Sequence, residues 1–242
     1  MARETIQCSI CDGTGFRVDE ETNTAYDCVC RAQRISARRT QALSRSLPKR
    51  YRNVSLQSTF MHDARARNPA VMRGYEAFLR KIDENLDNGR GLWIFGGVGT
   101  GKTELAMLVS KTAMDNGHSV IRYTLPELLA TIRGTFNDDS ASTYLSLVEQ
   151  LCTVKLLHID DVGAEQTSPW VLEQLYTIVN ARYEEQKSIV LTTNLEDREA
   201  MAAQIGDRTA SRLTDMCDVL PFHGTDFRVE GDDLVATERR TG

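Results

Sequence analysis

The chain has 242 residues, of which 41% are hydrophobic and 26% charged, with a formal net charge of −5. That is enough for one full α/β domain with a small appendage, and it excludes a disordered or fibrous chain. No apolar run approaches the roughly 20 residues needed to span a bilayer, and Met1-Ala2-Arg3-Glu4-Thr5 lacks an apolar signal core, so the expected location is cytoplasmic, with reduced thiols and no membrane partner.

Four of the six cysteines lie at the start, as Cys8-x-x-Cys11 and Cys28-x-Cys30, sixteen residues apart. Two close thiolate pairs suit tetrahedral Zn²⁺; redox thiols or unliganded cysteines are the alternatives. The polar residues between them could not form a core without a staple. Residues 1–30 are therefore read as a zinc-binding module with Cys8, Cys11, Cys28 and Cys30 as ligands. Cys152 and Cys217 stand alone in apolar contexts, as buried core thiols would.

Residues 31–52 hold eight basic residues and no acid. The first 52 residues carry ten Lys/Arg against six Asp/Glu, a net +4, whereas the rest carry nineteen against twenty-eight, a net −9. Ile35, Leu43 and Leu47 form a sparse apolar stripe. This basic helical linker is either a solvated helix face or a docking strip for an acidic surface or DNA phosphates.

Residues 53–242 read as one α/β domain. Val71, Tyr75, Phe78, Ile82 and Leu86 recur at helical spacing up to Asn88-Gly89. Gly91–Phe95 is a short buried strand. A helix from Thr103 carries Leu105, Leu108, Val109 and Thr112 and stops at Asn116-Gly117. Ser119–Tyr123 is a second strand, and Thr124-Leu125-Pro126-Glu127 is a capping box opening another helix. Val154–Ile159 is a third strand. Ser168-Pro169 caps a helix bearing Leu172, Leu175, Tyr176, Val179 and Tyr183. Ser188–Thr192 is a fourth strand and Val219–Phe222 a last one. The alternation predicts a parallel sheet covered on both faces.

Between strand and helix lies Gly96-Gly97-Val98-Gly99-Thr100-Gly101-Lys102-Thr103, a full G-x-x-x-x-G-K-[ST] phosphate loop. Its glycines let backbone N–H groups turn inward, Lys102 reaches the β- and γ-phosphates, and Thr103 offers a hydroxyl to Mg²⁺. Asp160 and Asp161 end an apolar strand. Asp160 is expected in the Mg²⁺ shell, and Asp161 sits where many such ATPases place a water-polarising glutamate. His158, between apolar residues, reads as a packed core histidine. The strand Ser119–Tyr123 intervenes in sequence between loop and acids, leaving room for a sensor on the next strand, where Asn194 is placed to touch the γ-phosphate or the attacking water. Arg208 and Arg212, four apart, share a helix face; they are either solvated or held near a γ-phosphate.

This ordered set resembles the DnaC/DnaI-type replicative helicase loaders, in the AAA+ group that also contains the IstB transposition helpers. The resemblance runs from about residue 48 to 222. It is carried by Pro48-Lys49-Arg50-Tyr51-Arg52, GGVGTGKT at 96–103, LLHIDDVG at 156–163, Leu175–Tyr183, Leu191-Thr192-Thr193-Asn194, and Arg208–Leu213. It implies an AAA+ P-loop core without a C-terminal lid. It also implies ATP turnover in an oligomer where one subunit's arginine, best matched by Arg208, completes the neighbour's site. Single-stranded DNA would meet the helices of residues 125–152, where Arg133 is the only arginine, and the N-terminal extension would grip a replicative helicase. Cys8-Ser9-Ile10-Cys11-Asp12-Gly13-Thr14-Gly15 is similar to one zinc-binding repeat of the DnaJ chaperones. The functional expectation is an ATP-dependent helicase loader; an IstB-like transposition helper, or an ATP-switched binding module with negligible turnover, are the other readings.

Overall fold

The computed structural model describes residues 8–11, 14–19, 22, 24–28, 30–31, 47–136, 141–163, 167–195 and 197–224. The stripe residues Ile35 and Leu43 and the expected lidless stretch beyond residue 224 lie outside these. Near the start, β1 (Phe16–Asp19) and β2 (Thr24–Asp27) pair as an antiparallel hairpin between the two cysteine pairs.

The main sheet has five parallel strands: β3 (Gly91–Phe95), β4 (Val120–Thr124), β5 (Leu156–Val162), β6 (Ser188–Thr193) and β7 (Cys217–Pro221), in the spatial order β4-β5-β6-β3-β7. The strand that separates the phosphate-loop strand from the acidic strand is therefore β6. The one that intervenes in sequence, β4, lies at the sheet edge.

Nine helices are described: α1 (Thr59–Arg67), α2 (Pro69–Arg80), α3 (Ile82–Asp87), α4 (Lys102–Asp115), α5 (Leu125–Thr135), α6 (Ala141–Thr153), α7 (Pro169–Glu184), α8 (Arg198–Ile205) and α9 (Asp207–Met216). They cover both sheet faces. Leu92 and Ile94 of β3 join a core with α2, α3 and α4, whereas Trp93 joins a core with α5 and α7–α9. This is the period-2 alternation of a strand buried on both sides. Leu47 and Tyr51, placed by sequence in the linker, pack on the first of these cores.

Local chemistry accounts for the element ends. Thr124 Oγ1 accepts the Glu127 N–H at 3.3 Å and Glu127 Oε2 accepts the Thr124 N–H at 2.9 Å, a complete capping box for α5. Ser168 caps α7 by accepting the Val171 N–H. The single helix expected over Val71–Leu86 is broken at Lys81 into α2 and α3. Asn85 Nδ2 donates to the Phe78 carbonyl at 3.0 Å, a side chain competing with the helical ladder at the break. The expected burial partly fails for Cys152, which is half-buried, while Cys217 is buried. Among the described residues, no helix is long and apolar enough to cross a membrane.

Candidate functional site

The phosphate loop follows from β3 turning sharply into α4. Gly96 has φ 143°, and a Cβ there would lie 2.0 Å from the Phe222 carbonyl oxygen. Gly101 has φ 95°, and its Cβ would lie 2.0 Å from the Phe60 ring. Only glycine meets both demands. Gly101 precedes α4 without any side-chain cap, so the helix start is left to an anion. Lys102 is buried, and its Nζ donates to the Gly97 carbonyl at 2.5 Å, closing the loop on itself.

The acids come from β5, directly across β6. Asp160 is buried, and its Oδ1 accepts from Thr103 Oγ1 at 3.0 Å and from Thr192 Oγ1. Its Oδ2 meets Arg122 Nη2 at 3.2 Å. Thr192 also accepts the Asp161 N–H at 3.0 Å. Asp161 adopts φ 57°, and the β5–β6 register slips between Ile159 and Val162, so two acids face the single residue Thr192. This bulge interrupts regular pairing at the acids, and pairing resumes at Val162 and Thr193. Octahedral Mg²⁺ binds oxygen at about 2.0–2.1 Å, which sets cis oxygens roughly 2.9 Å apart. The 3.0 Å separation of Thr103 Oγ1 from Asp160 Oδ1 fits that edge.

The remaining predicted residues are distributed unequally. Asn194 lies just past β6, exposed and without a hydrogen bond among the described residues; the residue of that strand that touches the acids is Thr192. Arg208 is exposed on α9; its carbonyl accepts from Arg212 Nη1 at 3.2 Å, and its guanidinium has no partner among the described residues. Arg212 is tied down: Nη2 donates to Tyr176 Oη at 3.2 Å, and its guanidinium lies over the Tyr176 and Tyr183 rings. Arg133 stacks on Trp170, 4.7 Å from the ring centroid. His158 is the expected core histidine, bonded through Nδ1 to Ser110 Oγ at 2.8 Å; burial pushes it down to about 4, so it is neutral at neutral pH. Sequence reasoning missed Thr192 and Arg122. Thr192 was visible beside Asn194 in Leu191-Thr192-Thr193-Asn194, but Arg122 carries no motif.

The four thiols gather separately. Cys8 and Cys28 Sγ are 3.8 Å apart, Cys11 and Cys30 Sγ 3.4 Å, and all four lie within 4.8 Å of one another. A tetrahedral site with Zn–S of about 2.3 Å has S···S edges of roughly 3.8 Å. The Gly15 N–H points at Cys11 Sγ, 3.3 Å away, and the Cys28 N–H donates to the Gly15 carbonyl. The hairpin thus returns the second cysteine pair onto the first. This donor set fits zinc.

Against known families, the model of the IstB-like ATP binding proteins matches residues 27–236. The chain belongs to the IstB-like ATP-binding family. The chain is similar to the replicative helicase loader DnaC of Buchnera aphidicola subsp. Acyrthosiphon pisum, 28% identical over 165 residues, which are 67% of this chain and 64% of that one. It is also similar to the replicative helicase loader DnaI of Bacillus subtilis, 20% identical over 215 residues, which are 86% of this chain and 67% of that one. The crystal structure of the DnaC helicase loader superposes with a TM-score of 0.60 at 23% identity, covering 73% of this chain and all of that one. The replication initiator DnaA bound to AMPPCP and single-stranded DNA shares the fold at a TM-score of 0.55 and 19% identity, covering 69% of this chain and 51% of that one. The IstB-like chain is thus an ATP-binding protein with an AAA+ α/β fold and helicase-loader homologues.

Proposed function

We propose that this IstB-like protein is an ATP-dependent helicase loader that binds ATP with Mg²⁺ and single-stranded DNA, hydrolyses ATP in a homo-oligomer and acts on a replicative helicase. The observation that carries the nucleotide part is the meeting of Thr103 and Thr192 on one oxygen of the buried Asp160, beside a glycine loop closed by Lys102. In this reading Lys102 leaves the Gly97 carbonyl for the phosphates, Thr103 and Asp160 hold Mg²⁺, and Asp161 orients the attacking water. Asn194 reaches the γ-phosphate. When bound, Mg²⁺ neutralises charge on the β- and γ-phosphoryl oxygens. Residues 1–30 form the zinc module and residues 31–52 the basic link to the ATPase body.

The loader reading is tested on the whole chain. ATP turnover should rise with single-stranded DNA, and the chain should capture a replicative helicase. The family description also favours a second reading, a transposition helper; capture of a transposase and not a helicase would decide for it. Intact nucleotide binding with no turnover under any condition would leave an ATP-switched binding module.

Arg208 supports a shared site, because its guanidinium is exposed and has no partner among the described residues, while that of Arg212 is held by Tyr176. Arg208→Ala should lower turnover by about a thousandfold while barely changing nucleotide affinity, since an arginine finger acts mainly in the transition state. Mixing Arg208→Ala with Lys102→Ala protein should restore part of the activity, as some sites regain both a good loop and a good neighbouring arginine. A mixture as inactive as its parents, with oligomers still formed, would assign Arg208 a structural role.

For the thiol cluster, freshly reduced protein should contain about one zinc, and chelation should unfold residues 1–30 while sparing the ATPase body. Cys8→Ser and Cys28→Ser should each reproduce chelation, because each removes one of four ligands. Protein free of zinc on metal analysis would refute the assignment.

A further inference from the structure

Arg122 stands out among the charged groups that the nucleotide reading leaves unused. It comes from the edge strand β4, two residues before the strand's end, and its side chain is only 20% exposed. Its Nη2 lies 3.2 Å from Asp160 Oδ2, on a carboxylate whose side chain is 2% exposed. Its Nε is buried, with no hydrogen-bond partner among the described residues. A buried ion pair with one donor unsatisfied is a poor source of stability, because desolvation of both charges offsets their attraction. The pair therefore needs another explanation.

The position of Asp160 supplies one. Its Oδ1 is already shared by Thr103 and Thr192, so Arg122 holds the remaining oxygen. A guanidinium there neutralises the carboxylate while no cation is present, and repels a divalent cation that comes to the same group. Arg122 also has a second anion within reach. Glu127 Oε2 lies 3.8 Å from Arg122 Nη1 on a side chain that is 60% exposed. The same carboxylate accepts the Thr124 N–H that closes the capping box of α5. That hydrogen bond, first among several influences, holds the Glu127 carboxyl below its usual range, so it stays an anion at neutral pH.

We propose that Arg122 is a positioning residue for the cation site: an internal counter-ion that occupies Asp160 in the nucleotide-free protein and passes to Glu127 when Asp160 takes up Mg²⁺. The inference rests on the assignment of Asp160 to the Mg²⁺ shell. It makes Mg²⁺ affinity a competition inside the protein, and it links the cation site to the first turn of α5, whose cap Glu127 forms.

The experiment is a Mg²⁺ titration of the full chain with a fluorescent non-hydrolysable ATP analogue, so that binding and not turnover is read. Arg122→Gln should tighten the apparent Mg²⁺ affinity roughly fivefold or more, by removing a competing cation, with little change in analogue affinity in the presence of EDTA. Glu127→Gln keeps an acceptor for the Thr124 N–H but removes the charge, and should weaken the Mg²⁺ response by about twofold or more. An unmoved Mg²⁺ midpoint in Arg122→Gln, accompanied only by a lower melting temperature, would overturn the proposal in favour of a structural ion pair. Loss of analogue binding without Mg²⁺ would overturn it too, by placing Arg122 on the phosphates. Should Arg122→Gln fail to fold, Glu127→Gln decides alone, and a wild-type midpoint rejects the counter-ion role. If the wild-type chain binds no analogue at all, the nucleotide reading itself fails, a result distinct from normal binding with an unaltered Mg²⁺ response.

Discussion

Lys102→Ala should weaken ATP binding by about 10- to 100-fold, the equivalent of one charge-assisted hydrogen-bonding group worth roughly 1.5–3 kcal/mol, and should abolish measurable turnover. The melting temperature of the nucleotide-free protein should hold or rise. The ammonium is buried, and its donation to the Gly97 carbonyl at 2.5 Å replaces hydration it has lost. Removing the group therefore removes a desolvation cost along with a hydrogen bond. Titration calorimetry and thermal melting on the same samples separate these effects. Unchanged affinity would sink the phosphate-loop assignment; lost affinity with a collapsed melting temperature would mean that Lys102 is chiefly structural.

Arg182→Leu should destabilise the protein by about 3–5 kcal/mol, a large share of the roughly 5–15 kcal/mol that holds a domain folded. Arg182 is fully buried on α7. Nη1 donates to the Leu151 carbonyl at 2.6 Å, and Nη2 to the carbonyls of Val154 at 3.0 Å, Lys155 at 3.3 Å and Ser188. One guanidinium thus joins the end of α6 to the starts of β5 and β6. Burial pushes it down to about 9, so it remains a cation at neutral pH. Because that value lies below the usual one for arginine, burial of the charge costs stability; the four carbonyls offset this. Leucine leaves the space of the guanidinium unfilled and those acceptors orphaned, and each orphan costs about 1–3 kcal/mol. The melting temperature should fall by about 10 °C or more. Arg182→Lys should recover only part of the loss, since an ammonium cannot present the planar fork. A Leu variant that melts with the wild type would show that these carbonyls find water or other donors.

Arg182 illustrates what could be read from the sequence. Its segment, Leu175–Tyr183, carried the family resemblance, yet helical periodicity alone would place an arginine at the surface. The five strands of the main sheet were legible as short, largely apolar runs bounded by turn residues, and Gly91–Phe95 agrees residue for residue with β3, whereas the exposed β1 and β2 carry no such run. The apolar run at 154–159 places the third strand too early, because the strand begins at Leu156 and runs on through both acids to Val162. α1 was missed for the opposite reason: Thr59–Arg67 buries only Met61 and Ala64 and shows no apolar stripe. The glycine loop and Asp160 stand out in the sequence because G-x-x-x-x-G-K-[ST] and an acid-ended apolar strand are patterns of fixed residue types at fixed spacing. Thr192 and Arg122 were not singled out, because they reach Asp160 through strand order, which places β6 and β4 on either side of β5. No local pattern encodes that neighbourhood.

The left-handed backbone at Asp161 sets stability against the geometry of the acidic pair. A non-glycine residue at φ 57° carries a conformational cost of about 1–2 kcal/mol. Mutational drift toward a more stable protein would replace it with glycine, or straighten the strand so that neighbouring acids fall on opposite sides of the sheet. Glycine would keep the backbone bulge but remove the second acid, and a straightened strand would undo the two-against-one arrangement facing Thr192. Position 161 is thus a place where a gain in folding free energy and retention of the acidic pair cannot be had together, and where a stabilised variant found by screening on thermal tolerance alone would be a poor guide to what the molecule does.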